Sequence, residues 1–267
     1  MIALLDLDIF CYRVAWTTQL DSEGIAASRI DDMIEATLQE VAATEYKGWL
    51  TDGRDNFRKH VYPEYKANRK QEKPVNLTFL QEFVKKNWGA EIAIGMEADD
   101  ALGIAQTEGK GSGTVLTTDS DWNSVIHNAN PTVICSIDKD LLQVPGNHYN
   151  FVKKEFKVID EYTGRYNFYT QLVTGDATDN IKGVAGVGTK GAILALQGLI
   201  TEQEMFNKVR SMYDNDEYML MNGICLHIKR TQEDDWRDTF EKLVGGETEE
   251  LHNEYNSFGL SALSNKV

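Results

Sequence analysis

The chain opens on Ile2-Ala3-Leu4-Leu5-Asp6-Leu7-Asp8, four apolar residues stopped by an acid. A short, continuous apolar run reads as a strand buried on both faces. A carboxylate at its carboxyl end stands where a parallel sheet presents ligands. The same figure returns along the chain. Gly48-Trp49-Leu50-Thr51 ends in Asp52, and Glu91-Ile92-Ala93-Ile94 leads into Gly95-Met96-Glu97-Ala98-Asp99-Asp100. Thr132-Val133-Ile134-Cys135-Ser136-Ile137 ends in Asp138-Lys139-Asp140. Between these runs, Ile30, Met33, Ile34, Leu38 and Val41 recur at helical spacing. Leu77, Leu80 and Val84 do so after Pro74, and Leu102 and Ile104 continue a helix beyond Asp100. Strand alternating with helix predicts an α/β fold, with a central, mostly parallel sheet and helices on both faces. After about residue 155 the pattern turns helical, interrupted by glycines over 183–191. The chain therefore divides into an α/β portion, 1–155, and a helical portion, 156–267, whose stretch from Gly245 onward reads as a polar surface tail.

With 42% hydrophobic and 26% charged residues in 267, the composition is that of a folded globular protein. No apolar run approaches the ~18 residues of a membrane span, and Ile2–Leu5 is too short and too acid-flanked for a signal peptide. A cytoplasmic protein with no membrane partner is expected. Cys11, Cys135 and Cys225 share no paired spacing and read as core thiols of a reducing compartment. Five scattered histidines and no Cys/His cluster argue against zinc. The net charge, 27 − 42 = −15, excludes a nucleic-acid partner held by bulk charge unless the acids are gathered in one place.

They are gathered. Asp6, Asp52, the Glu97/Asp99/Asp100 group and Asp138/Asp140 follow four separate strands, and Asp176 and Asp179 precede the glycine-rich turn. Oxygen donors without histidine or thiol suit Mg²⁺ or Mn²⁺. So many carboxylates share a pocket only where divalent cations neutralise them, and a pair of such ions is the arrangement that hydrolyses phosphodiesters. For any single Asp, the plainer role of helix N-cap or solvated loop residue competes.

Two other segments carry chemistry. Phe57-Arg58-Lys59 and Tyr62 through Lys70 interleave cations with aromatics, as a single-strand channel does, although one charge run is more often a solvated face. Its position between Asp52 and Glu97 favours substrate handling. Gly183-Val184-Ala185-Gly186-Val187-Gly188-Thr189-Lys190-Gly191 contains a literal GxGxxG, but no strand precedes it, and it misses the P-loop pattern. A tight turn holding a DNA phosphate, flanked by Lys182 and Lys190, explains these glycines as well as a helix-capping turn does.

In order, LLDLDIFCYR, NFRKHVYPEYKANRK, GMEADDALG, SIDKDLLQVPGNHYN and TGDATDNIKGVAGVGTKGA resemble the motifs of the 5′-nuclease family, which includes flap endonucleases and the 5′-nuclease domain of bacterial DNA polymerase I. The likeness, strongest to phage 5′→3′ exonucleases, covers roughly the first 200 residues. It implies a PIN-like sheet fold, a gateway over about residues 56–88 and a helix–three-turn–helix element that binds duplex. Carried across, Asp6, Asp52, Glu97 and Asp99 look like ligands of a first metal. Asp100, Asp138, Asp140, Asp176 and Asp179 look like a second-metal group. Lys66 and Arg69 resemble the gateway cations that meet the scissile phosphate. Arg58, Tyr65, Lys66, Arg69, Lys182, Gly183, Gly186, Gly188 and Lys190 look like DNA contacts. The resemblance tips the glycine turn toward phosphate, with a K⁺ ion that the family often holds there.

The chain offers two strand-then-DxD candidates, Asp119/Asp121 and Asp138/Asp140. The sequence after Asp138 continues like the family motif and that after Asp119 does not, so Asp138/Asp140 are taken and about 107–131 is read as an insertion. The implied function is a two-metal, Mg²⁺-dependent 5′→3′ exonuclease and flap endonuclease of phage-type DNA replication or degradation, with Mn²⁺ able to substitute. Its expected substrates are duplexes with a 5′ end, nick or flap, or an RNA/DNA hybrid. It is expected to act as a monomer beside replication proteins. A PIN-like ribonuclease and a non-catalytic DNA-binding module are the competing classes. Nine of the 42 acids in one pocket would then account for much of the negative charge.

Overall fold

The structure, a computed structural model, describes residues 1–109, 115–118, 124–127 and 131–246. Strand β1 (Ile2–Asp6) runs directly into helix α1 (Leu7–Thr17), and α2 (Glu23–Glu40) returns the chain to β2 (Glu45–Thr51). A short helix α3 (Phe57–Val61), then α4 (Leu77–Asn87), leads to β3 (Glu91–Ala93) and α5 (Ala98–Gly109). Strands β4 (Val115–Thr118) and β5 (Ser124–His127) pair antiparallel in a small sheet of their own. Then come β6 (Thr132–Cys135), a 3-10 turn over Asp140–Gln143, β7 (Gly146–Asn150) and β8 (Glu155–Ile159). The main sheet has the order β3-β2-β1-β6-β7-β8, parallel except for β8. Strand β8 continues the α/β portion to Ile159, past the boundary read at 155.

Alternation along the buried strands decides which helix covers which face. Ala3, Leu5, Val133 and Cys135 face α1, α2 and α4 through Phe10, Val14, Ile30, Ile34 and Leu80. Leu4, Trp49 and Ile134 face the other way, onto Leu102 of α5 and onto Leu141, Val144 and Ile228. All three cysteines are buried free thiols.

The rest is helical: α6 (Glu161–Thr174), a two-residue ladder of β9 (Gly175–Asp176) with β10 (Ile181–Lys182), α7 (Thr189–Leu196), α8 (Glu202–Arg210), α9 (Asp216–Leu226) and α10 (236–246). Phe168, Tyr169, Leu172, Phe206, Met219 and Trp236 form its core. Tyr65 belongs to this second core, so the basic segment between β2 and α4 packs on the helical portion.

Candidate active site and nucleic-acid interface

The parallel strands end on one edge, and their last residues deliver the acids. Asp6 caps α1, accepting from the Ile9 N–H at 3.3 Å, and its other oxygen takes the Ser136 hydroxyl at 2.6 Å. Ser136 in turn accepts the Asp138 N–H at 3.0 Å, so one hydroxyl ties the ends of β1 and β6 together. Asp138 accepts from the Asp140 N–H at 2.9 Å. Burial, with Asp8 and Asp138 nearby, pushes the Asp6 carboxyl up to about 7 despite the Ser136 bond. Burial and the charges of Asp138 and Asp176 push Asp140 up to about 7 as well. Asp99 is driven well above the carboxylate range by burial, then by Asp6, Asp138 and Glu97. Asp6, Asp99 and Asp140 are therefore each raised by burial and by neighbouring carboxylates, with Asp138 a neighbour common to all three.

Glu97 behaves differently. Burial opposes its charge, but Arg58 and Lys66 win and hold it below the usual range. Lys66 Nζ stands 2.5 Å from Glu97 and 3.6 Å from Asp179, and Arg69 donates to Asp179 at 2.5 Å. Asn56 donates to Glu97 at 2.9 Å. Lys66 reaches this position from a left-handed backbone, φ 59°, pinned by its N–H on the Asp179 carbonyl at 3.0 Å. A lysine in that conformation costs of order 1–2 kcal/mol, which the surrounding bonds offset. Asn68, Asn180 and Tyr62 add bonds between the basic segment and residues 177–180. Lys66 and Arg69, the two cations expected at a gateway, thus lie against carboxylates of the candidate metal site.

Three sequence expectations are corrected by burial and pairing, and a fourth expected ligand, Asp52, is tied into a loop. Tyr65, expected to stack on bases, is 3% exposed, with its hydroxyl 3.1 Å from Glu97 and 2.9 Å from Asp179. Arg58, expected on DNA, is 2% exposed and faces inward. It donates twice to Asp100, at 2.5 and 2.9 Å, and to the carbonyls of Cys225 and His227. Asp100, expected to hold metal, is fully buried. Its four acceptor sites are taken by the two Arg58 nitrogens and by the N–H groups of Glu97 and Lys229, at 3.1 Å each. Asp52 works as a loop cap, accepting from the N–H of Arg54 at 2.9 Å and of Gly95 at 3.3 Å, which lowers its pKa. It steadies the turn before Glu97.

Asp176 accepts from the N–H groups of Thr178 and Asp179 at 2.7 and 3.2 Å, and from Gln171 at 3.4 Å. Sequence reasoning passed over Ser136, Gln171, Asn56 and Asp8, whose carboxylate takes the Thr51 N–H at 2.8 Å. Only Asp8 had a signal, as the second acid of the Asp6-Leu7-Asp8 figure. The alternative ligands Asp119 and Asp121 lie outside the described residues. The strand before them, β4, belongs to the small hairpin and not to the main sheet.

Among the described residues no three carboxylate, thiol or imidazole groups converge tightly enough to cage an ion as the side chains stand. The donor chemistry nevertheless fits a hard divalent cation. Asp6, Asp99 and Asp140 are oxygen donors whose ionisation is suppressed by burial and by neighbouring carboxylates, and a cation relieves both penalties at once. A mainly apolar cavity of about 310 Å³ lined by Phe57, Met96, Ile224 and Trp236 contains none of the strand-end acids. The acids stand at the carboxyl end of the sheet, outside that cavity.

At the glycine turn, Gly183 packs so closely that a Cβ would lie 2.2 Å from the Val173 carbonyl oxygen, and Gly186 takes φ +75°. Gly188 caps α7 with extended backbone and no side-chain bond. Lys182 and Lys190 are exposed on either side. The Lys182 carbonyl is held by Tyr218 and Asn222 at 2.8 and 2.7 Å, which fixes the turn against α9.

Comparison with known proteins points one way. Residues 1–133 match the family described as 5′-3′ exonuclease, N-terminal resolvase-like domain. A 5′-3′ exonuclease of Buchnera aphidicola is 24% identical over 242 residues, 81% of this chain and 74% of that one. The flap endonuclease Xni of Yersinia pseudotuberculosis is 29% identical over 171 residues, 60% of this chain and 63% of its own length. A phage T5 5′-exonuclease with bound zinc superposes with TM-score 0.66 at 16% identity, covering 93% of this chain and 98% of that one. A phage T5 flap endonuclease in a pseudo-enzyme–product complex with DNA and metal ions gives 0.64, over 91% and 98%. Residues 1–133 carry that family's N-terminal domain, and the chain belongs to the 5′-nuclease family.

Proposed function

We propose that the chain is a divalent-metal-dependent 5′→3′ exodeoxyribonuclease that also cuts flaps, a hydrolase of DNA phosphodiesters. The observation that carries this reading is the gathering of Asp6, Asp99 and Asp140, each raised by burial and neighbouring acids, at the edge where Lys66 meets Glu97. Asp6, Glu97 and Asp99 would hold one ion, and Asp138, Asp140, Asp176 and Asp179 a second, with Mg²⁺ the natural occupant and Mn²⁺ a substitute. Bound there, the ions supply an acidified water and charge stabilisation at the leaving oxygen. Ser136 keeps Asp6 and Asp138 at a fixed separation. Lys66 and Arg69, released from Glu97 and Asp179, turn to the scissile phosphate and stabilise its developing charge.

The α/β portion, 1–155 with β8, carries the chemistry together with Asp176 and Asp179 of the helical portion. In the helical portion, 156–267, Lys182, Lys190 and the turn at Gly183, Gly186 and Gly188 hold a duplex phosphate, with K⁺ as its companion ion. The substrate is duplex DNA with a 5′ end, nick or flap, or an RNA/DNA hybrid. The protein works as a monomer in the cytoplasm beside replication proteins. End-labelled duplex, nicked, flap, hybrid and circular single-stranded substrates in Mg²⁺ test the proposal. It expects 5′-phosphorylated products from the first four and none from the circle. Cleavage confined to single-stranded RNA would move the chain to the ribonuclease class, and binding without cleavage to the non-catalytic one.

A further inference from the structure

A second basic feature stands on the acid edge, on the side away from Lys66. Asp138 shares a concavity of about 120 Å³ with Lys139, His148, Asn150, Lys153 and Lys157. Its outer wall, the β7–β8 hairpin, is firmly built. Phe151 sits in the core with its ring centroid 4.2 Å from that of Phe10. Asn150 Oδ1 accepts from the N–H groups of Val152 and Lys153 at 3.1 and 2.9 Å, and Lys154 points elsewhere, onto Glu40 at 2.6 Å. His148 is buried, 2.7 Å from the Val144 carbonyl, and faces Lys157 across the ladder.

Three ammonium groups meet two carboxylates in this concavity, Asp138 and Glu155. The pairings are loose: Lys157 is 3.9 Å from Glu155, and Lys139 is 3.9 Å from Asp140. The Lys139 and Lys157 side chains are 77% and 52% exposed, so their heads are free to swing onto a ligand. Sheet order fixes the spacing. Asp6 ends β1, Asp138 follows β6, and the hairpin lies one and two strands further out. At ~4.8 Å between strands, the lysines stand roughly 5–10 Å beyond Asp138 along the edge. Lys66 and Arg69 approach over Glu97 at the β3 end, so the acids lie between two basic features.

We infer that Lys139, Lys153 and Lys157 form a phosphate subsite for the substrate strand, one that engages a linkage about one or two nucleotides from the scissile phosphate. This rests on the acid edge being the cleavage site. The subsite makes the enzyme grip the strand on both sides of the reacting bond.

The test uses the full chain with Lys153→Ala and Lys157→Ala combined; both residues are exposed, so folding is not at stake. Nicked DNA is bound in Ca²⁺ across a salt series and cleaved in Mg²⁺, with neutral methylphosphonates placed singly at each linkage near the nick. The variant should lose about one to two phosphates' worth of salt slope, ~0.9 to 1.8, and raise KM severalfold with little change in kcat. One methylphosphonate position should weaken the unmodified protein and leave the variant indifferent. An unchanged slope and KM, or equal sensitivity of both proteins to every linkage, overturns the subsite. A lysine-dependent slope in a protein that never cleaves in Mg²⁺ keeps the lysines as phosphate contacts but overturns the nuclease reading, and with it their placement beside a scissile bond.

Discussion

Replacing Arg58 with Met separates a buried strut from a metal ligand. The guanidinium makes two bonds to Asp100 and one each to the carbonyls of Cys225 and His227. It joins the start of the basic segment, the helix carrying Asp99, and the end of α9. Met keeps the stem and removes every donor, leaving Asp100 as a buried carboxylate with two N–H partners and no counter-charge. Removing one member of a buried pair costs about 3–5 kcal/mol, out of a total stability of about 5–15 kcal/mol. The double variant Arg58→Met/Asp100→Leu abolishes the stranded charge and should recover ~2 kcal/mol or more of that loss. Asp100→Asn should destabilise on the scale of Arg58→Met, since the arginine is then stranded. Urea melts read these as shifts of midpoint at constant slope. Calorimetric Mn²⁺ titration of the same proteins supplies the second axis. Asp100→Asn should bind Mn²⁺ close to the unmodified protein. Asp6→Asn should lose at least ~tenfold in affinity while keeping or gaining stability. If Asp100→Asn melts like the unmodified protein and loses Mn²⁺ at least as strongly as Asp6→Asn, Asp100 is an ion ligand and the strut assignment fails.

Asp6 and Asp140, raised from 3.8 to about 7, keep protons in the folded state that the unfolded chain releases, so stability should fall as pH climbs from about 4 to 7. Divalent cation should then raise Tm at pH 8 by several degrees more than at pH 5; a metal-free Tm that is flat or rising over that interval refutes the charging of this edge. Lys66→Ala should cut single-turnover cleavage by at least ~100-fold at saturating DNA while binding changes little, and a normal rate would remove it from the reaction. Gly183→Ala drives a methyl to 2.2 Å from the Val173 oxygen and should unfold the turn, seen as a lowered Tm with weakened duplex binding. Lys182→Ala and Lys190→Ala should each lower the salt slope of duplex binding by ~0.9 and leave Tm unchanged. Asp138→Asn should abolish turnover and Asp119→Asn preserve it; the reverse outcome shifts the ligand pair to the earlier segment.

Much of the fold is local information. The apolar runs at Ile2–Leu5, Gly48–Thr51 and Thr132–Ile137, the helical periodicity between them and the acid after each are legible because burial on both faces and helix amphipathicity are written residue by residue. That the acids share an edge follows from parallel pairing, which makes every strand end on the same side. The sheet, its edge and the residue types gathered there are thus local properties of the chain. Which of those charges are free to act depends on packing between distant segments. Arg58 meets Asp100 42 residues away and carbonyls 167 and 169 residues away, and no spacing rule encodes such distances. Glu97, Asp99 and Asp100 look alike as a motif. One helical step turns successive side chains by about 100°, so Asp99 points to the strand-end acids while Asp100 turns inward to Arg58. A carboxylate saturated by a buried guanidinium and one repelled by its neighbours are the same letter in the chain; desolvation and partner charge, which exist only after packing, make one a strut and leave the other a candidate ligand.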